Sequence, residues 1–171
     1  MPWRTRKEYL LQASVQVPLR REQVFEFFAD AFRLELLTPE WLSFRVLTQP
    51  PIEMRRGALI DYRLRLHGIP VRWRTEITEW EPPLRFEDSQ LRGPYHYWHH
   101  THTFLERDGG TLVEDEVRYS APGGSVLHGL FIRRELRKIF EYRQQQLPRL
   151  LGAAVSECEA SPVTILPCPA E

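Results

Sequence analysis

The 171-residue chain has only two cysteines, Cys158 and Cys168, both close to its C-terminal end. A fold stapled by disulfides places its cysteines among the structural elements, so this one is not expected to depend on a disulfide. The chain also lacks an excess of either charge, because 23 Lys and Arg balance 23 Asp and Glu. Proteins that grip a phosphate backbone carry a basic surplus, so nucleic acid is disfavoured as a partner. Long apolar runs are missing too. No stretch approaches the ~20 apolar residues that span a bilayer, and no signal-type apolar run follows the basic start Met1–Glu8. These absences predict a cytoplasmic protein with no transmembrane segment. No internal repeat is visible. With 42% hydrophobic residues the chain can bury one real core but not two comfortable ones. A single domain over residues 1–152 is expected. Residues 153–171 hold three prolines and no periodicity, and are predicted to form a flexible tail.

What is present is alternation. Tyr9 to Val17 reads as a strand stopped by Pro18. Val24, Phe25 and Phe28 share a helical face within residues 20–29, and a second short helical piece spans 32–37 before Pro39. A short strand is expected at 44–48. In 58–67, Ile60, Tyr62, Leu64 and Leu66 alternate with Asp61, Arg63 and Arg65, the mark of a half-buried antiparallel strand. Gly68-Ile69-Pro70 is expected to turn the chain into a strand over 71–80, with Val71, Trp73, Thr75 and Ile77 on one face. Another strand follows at 84–90. Residues 95–106 and 111–120 form a hairpin around Asp108-Gly109-Gly110. The period then becomes helical from about 127 to 151, with Ile132, Leu136, Phe140, Leu147 and Leu151 on one stripe. Consecutive strands joined by short turns make an antiparallel meander, and the sheet's apolar face is the partner available to the helix.

That order, together with particular residues, resembles the SRPBCC superfamily. This is the START-like helix-grip group of the major birch-pollen allergen, coenzyme Q-binding proteins and polyketide aromatases/cyclases. The resemblance rests on Pro18 with Val24-Phe25-Glu26-Phe27-Phe28-Ala29-Asp30, on Leu37-Thr38-Pro39 with Trp41-Leu42, and on Glu79-Trp80-Glu81-Pro82-Pro83 with Phe86. It continues through Leu91-Arg92-Gly93-Pro94-Tyr95, Trp98-His99-His100-Thr101-His102-Thr103-Phe104, Asp108-Gly109-Gly110-Thr111, Asp115, Tyr119 and Tyr142-Arg143. The chain is most similar to bacterial members described as cyclase/dehydrase or ligand-binding proteins. The resemblance implies an α+β helix-grip fold: a curved antiparallel sheet of about seven strands wrapped around a long C-terminal helix, two short helices after the first strand, and a cavity between sheet and helix. It implies no cofactor and no metal.

The hairpin carries the chemistry. Trp98, His100, His102 and Phe104 share one face of its first strand, and Val113, Asp115, Val117 and Tyr119 share one face of its second. Both faces are apolar with polar insertions and should point inward. A two-residue Asp108-Gly109 turn pairs Arg107 with Gly110, and so sets Phe104 against Val113, His102 against Asp115, His100 against Val117 and Trp98 against Tyr119. A turn centred on Gly109-Gly110 would instead set Asp115 against Phe104. Three readings of the inward polar group stand side by side. It is a satisfied core pair, or a polar anchor for a ligand head group, or a catalytic or metal group. In the last case His102, His100 and Asp115 would do proton transfer. His100 and His102 with a neighbouring carboxylate could also bind zinc, but no fourth ligand stands out, so no metal is expected.

Tyr62, Trp73, Phe86, Trp98, Tyr119 and Phe140 are the expected aromatic lining, with Asp88 as a second inward carboxylate. Arg143, near the inward stripe of the helix, could reach a carboxylate or carbonyl on a ligand. The expected partner is a small hydrophobic molecule such as a lipid, quinone or polyketide-like metabolite, held by a monomer or homodimer. An enzyme of the cyclase, dehydratase or hydrolase kind and a ligand-free regulatory or interaction module are the alternatives.

Overall fold

A computed structural model describes residues 7–168. Strand β1 (Tyr9–Val17) turns Tyr9, Leu11, Ala13, Val15 and Val17 into the core. Helix α1 (Arg21–Phe28) buries Val24, Phe25, Phe27 and Phe28. Two 3₁₀ turns, Ala31–Glu35 and Glu40–Leu42, lead into the sheet. The first is capped by Asp30 Oδ1, which accepts from the Phe32 N–H at 3.0 Å. Strands β2 (Arg45–Val46), β3 (Leu59–Leu66), β4 (Ile69–Glu81), β5 (Arg85–Arg92), β6 (Tyr97–Arg107) and β7 (Gly110–Ser120) follow. The sheet order is β2-β3-β4-β5-β6-β7-β1, every neighbour antiparallel, so the first strand closes against the last strand of the meander. Register shifts between β4 and β5 bend the sheet.

Two tight turns fix the register. Asp108 and Gly109 both have positive φ (48° and 77°), the two-residue turn whose twist matches flanking strands. It pairs Arg107 with Gly110, Phe104 with Val113, His102 with Asp115 and Trp98 with Tyr119, the first of the two registers expected from the sequence. His67 and Gly68 (51° and 81°) make an equivalent turn between β3 and β4. The turn expected over Gly68 to Pro70 therefore sits one residue earlier. Ile69 and Pro70 are strand residues paired with Leu66 and Arg65.

The C-terminal helix runs through α2 (Gly124–Leu127), a π-helical turn (His128–Ile132) and α3 (Arg133–Leu150). Leu136, Phe140, Arg143, Gln144 and Leu147 face the sheet. Gly152, at φ 72°, ends the helix: its N–H donates to Arg149 O and the Ala153 N–H to Pro148 O. One core cluster gathers Phe25, Phe28, Phe86, Phe104 and Leu147. A second, at the other end of the helix, gathers Tyr9, Trp98, Tyr119, Leu136 and Phe140.

The segment expected as a flexible tail is built into the sheet. β8 (Glu159–Ala160) and β9 (Thr164–Pro167) pair with β1 on the side away from β7. Val163 and Ile165 are buried in the second cluster. The Gln144 side chain ties helix to tail by donating to Ser14 O and Ser161 O, both at 2.9 Å. The strands were missed because they are short and their inward residues alternate with prolines and polar groups. What specifies them is the free edge of β1, which is satisfied by backbone pairing. The remaining expected tail residues, 169–171, lie outside the described residues.

Tyr119, expected to face a ligand, packs within the second cluster instead. Its hydroxyl lies 2.7 Å from His128 Nε2, and His128 stacks on Tyr9 at 3.4 Å between ring centres. Burial, helped by the charges of Arg133 and Lys7, pulls the His128 pKa down to about 4.

Two outcomes follow. Ile165→Ala should cost about 2–5 kcal/mol in urea unfolding, as for a buried aliphatic in a core; a loss below ~0.5 kcal/mol, the range of surface changes, would show that β9 is not part of the fold. For His128 the folded pKa lies below the ~6.5 of an unfolded chain. The unfolded state therefore takes up the proton first, and stability falls as pH drops from about 6.5 toward 4. His128→Gln should flatten that part of a melting-temperature-against-pH curve, and an unchanged slope would contradict a buried neutral imidazole.

Candidate ligand site

Between the sheet, α1 and α3 lies a cavity of about 180 Å³, against the roughly 10–15 Å³ that one water needs. Tyr62, Trp73, Phe86, Trp98 and Phe140 line it, as expected from the sequence. Phe28, Ile60, Ile77, Tyr95 and Ile139 line it too and were not singled out beforehand. Ile60 and Ile77 had been placed on inward strand faces, which was the signal for them. Phe28 and Tyr95 arrive only through the packing of α1 and the β5–β6 connection, which periodicity does not reveal.

One wall is polar. Asp88, His100, His102 and Arg143 open onto the cavity, from β5, β6 and α3. Asp115 does not: it lies behind the imidazoles on β7. Its Oδ1 is 2.9 Å from both His100 Nε2 and His102 Nδ1, and its Oδ2 is 3.4 Å from Arg143 Nε. On the other side, Asp88 Oδ2 accepts from His102 Nε2 at 3.2 Å and lies 3.9 Å from His100 Nδ1. The Thr75 hydroxyl donates to Asp88 Oδ1 at 3.0 Å. The His102 ring stacks on Phe86 at 4.1 Å and against His100 at 3.7 Å. The expected His102–Asp115 contact is thus present, with His100 equally close to the same oxygen. Asp88 is an inward carboxylate because β5 pairs it opposite His100. Thr75 on the inward face of β4 could have pointed to a polar partner, since a lone hydroxyl among apolar neighbours needs one.

The electrostatics follow from burial. Desolvation and the adjacent His102 hold the His100 pKa down at about 4, against the pull of Asp115 and Asp88. Burial pushes Asp115 up, but the Arg143 charge and the two imidazole contacts outweigh it, holding this carboxyl well below its usual range. Asp88 is lowered too, because contacts with both histidines overcome its desolvation. At neutral pH both carboxylates are ionised and His100 is neutral. Arg143 is 8% exposed, and its Nε makes no hydrogen bond of good geometry among the described residues. The guanidinium is held by charge against Asp115 and by its packing over Phe28 and Phe140, while still facing the cavity.

The family profile described as "Polyketide cyclase / dehydrase and lipid transport" matches residues 17–147. The chain belongs to that family, within the SRPBCC group. Solved structures agree on the fold. Protein Ms6760 from Mycobacterium smegmatis is 18% identical with a TM-score of 0.63, over 84% of this chain and 90% of that one. The birch-pollen-type allergen Ara h 8.0201 is 10% identical with a TM-score of 0.58, over 83% and 99%. A nucleoside-diphosphate sugar epimerase from Corynebacterium glutamicum is 26% identical with a TM-score of 0.63, over 82% of this chain but 29% of its own. No curated protein matches the chain. No helix among the described residues is long and apolar enough to cross a membrane.

Removing one member of a buried ion pair leaves an uncompensated charge, which costs about 3–5 kcal/mol. Asp115→Leu and Arg143→Met should each lose roughly that in urea unfolding, and the double variant should recover most of it. Additive losses would show that the two side chains do not act as a pair.

Proposed function

We propose that the protein binds a small molecule with an apolar body and one polar head, the body in the aromatic cavity and the head against Arg143, His102 and Asp88. The observation that carries this is the distribution of polarity. A cavity lined mostly by aromatic and aliphatic side chains gathers Asp88, His100, His102 and Arg143 on one wall, while Asp30, Arg33 and Thr38 line it from the more exposed segment after α1, and one such polar wall orients a ligand by one end. Arg143 suits a carboxylate, carbonyl or hydroxyl head, because its guanidinium is fixed by packing and loses little freedom on contact. Lipids, quinones and polyketide-like metabolites share that chemistry, and the family's description names lipid transport and polyketide chemistry together.

A second reading, proton transfer on a carbonyl-bearing ligand, draws support from His102. Its Nε2 is at the cavity wall against Asp88, and Asp115 holds the opposite side of the ring. A general acid–base needs that orientation. His102→Gln would then stop turnover with the melting transition retained; intact turnover would exclude the role.

Native mass spectrometry of freshly purified protein should show a 1:1 organic adduct that denaturing extraction releases. An anilinonaphthalene sulfonate dye, apolar with one anionic head, should bind in competition with it. Leu64→Trp, which adds bulk to the cavity lining, should weaken dye binding at least tenfold with the melting transition retained. Unchanged dye affinity would place binding elsewhere and overturn the proposal.

A further inference from the structure

The polar wall is also a ligand set for a metal ion, and this goes beyond the small-molecule reading without depending on it. One ligand atom each from Asp88, His100 and His102 lie within 4.8 Å of one another, with both histidines buried. The edges involving Asp88 are 3.2 Å to His102 Nε2 and 3.9 Å to His100 Nδ1. Metal–ligand bonds of about 2.0–2.2 Å give ligand–ligand edges of roughly 3–3.5 Å, so the 3.2 Å Asp88–His102 edge already fits and His100 Nδ1 must draw closer on binding.

Two further observations support a cation rather than a simple polar cluster. Asp115 stands behind both rings, 2.9 Å from His100 Nε2 and 2.9 Å from His102 Nδ1. A carboxylate can only accept, so it favours a proton on His100 Nε2 and leaves the His100 Nδ1 lone pair bare toward Asp88; His102 Nε2, which donates to Asp88 in the metal-free protein, ligates once its proton has shifted to Nδ1 beside Asp115. A carboxylate behind a ligating imidazole is the usual outer support of a metal site. The second observation is charge. Two carboxylates, Asp88 and Asp115, stand against the single guanidinium of Arg143 beside an apolar cavity, an arrangement that accommodates a cation.

We infer that Asp88 Oδ2, His100 Nδ1 and His102 Nε2 bind one divalent first-row transition-metal ion at the polar end of the cavity. Two imidazoles and one carboxylate suit zinc or iron(II). Three protein ligands leave positions open toward the cavity, the pattern of a reactive rather than a structural site. Binding replaces the His102–Asp88 hydrogen bond, and the longer 3.4 Å contact of Arg143 Nη2 with His102 Nδ1 gives way to Asp115. The sequence pairs the two histidines with a neighbouring carboxylate and offers no fourth ligand, and it marks Asp88 as inward; what only the β5–β6 pairing supplies is the position of Asp88 opposite His100.

The test uses the full chain after chelator treatment, titrated calorimetrically with Zn²⁺ and spectroscopically with Co²⁺. One ion per chain is expected. Asp88→Asn and His102→Gln should each weaken Zn²⁺ binding more than a hundredfold, and Asp115→Asn about 10–100-fold. A control lacking three donors away from the cavity, Cys158→Ser/Cys168→Ser/His67→Gln, should bind as wild type. X-ray absorption of the Zn²⁺-loaded wild type needs no variant to fold, and should show two imidazoles with oxygen and no sulfur. No stoichiometric binding, equal affinity in Asp88→Asn, loss of binding in the control, or sulfur in the coordination shell would each overturn the site.

Discussion

Asp115 carries a negative charge into an interior that is mostly aromatic and aliphatic, and the elements around it are arranged to make that tolerable. Its two oxygens reach His100 and His102 on β6 and Arg143 on α3. Each contact also fixes geometry. The histidine contacts hold only in the β6–β7 register set by the Asp108-Gly109 turn, since a slip by one residue would turn the carboxylate outward. The Arg143 contact fixes the rotation of α3 about its axis, which in turn sends Leu136, Phe140 and Leu147 to the sheet. Opposite Asp115 on β1 stands Ala13, whose small side chain leaves room for the carboxylate to lean toward β6. Buried ion pairs are often poor sources of net stability. Here the pair's larger consequence is positional, because it holds two imidazoles at the wall of a cavity.

Much of the architecture was legible because strand alternation and turn chemistry are local. Ile60, Tyr62 and Leu64 announced β3, and Asp108-Gly109 announced the hairpin and its register. The long helix announced itself through Leu136, Phe140 and Leu147. β8 and β9 were not legible, because two- and four-residue strands carry no periodicity and exist only by pairing with β1. The β3–β4 turn was placed one residue late because Pro70 looks like a turn residue. It is tolerated within the strand, and the left-handed positions fall on His67 and Gly68.

For the site, inward faces were readable and neighbours were not. His100, His102 and Asp115 could be grouped because a hairpin pairs them at short range. Asp88 was identified as inward, but its position opposite His100 depends on β5–β6 pairing across an irregular connection. Tyr119 shares the inward face of β7 with Asp115, yet its position beyond Val117 takes it past the cavity to His128. A face can be read from alternation, whereas depth along that face depends on what the helix covers.

The central claim is that Asp115 fixes the protonation pattern of the polar wall. Nitrogen-15 NMR of histidine-labelled, metal-free protein at pH 7 tests it most directly. The account predicts a neutral His100 with its proton on Nε2, coupled to the Asp115 carboxylate, and a loss of that signature in Asp115→Leu. A charged His100, or one carrying its proton on Nδ1, would contradict it.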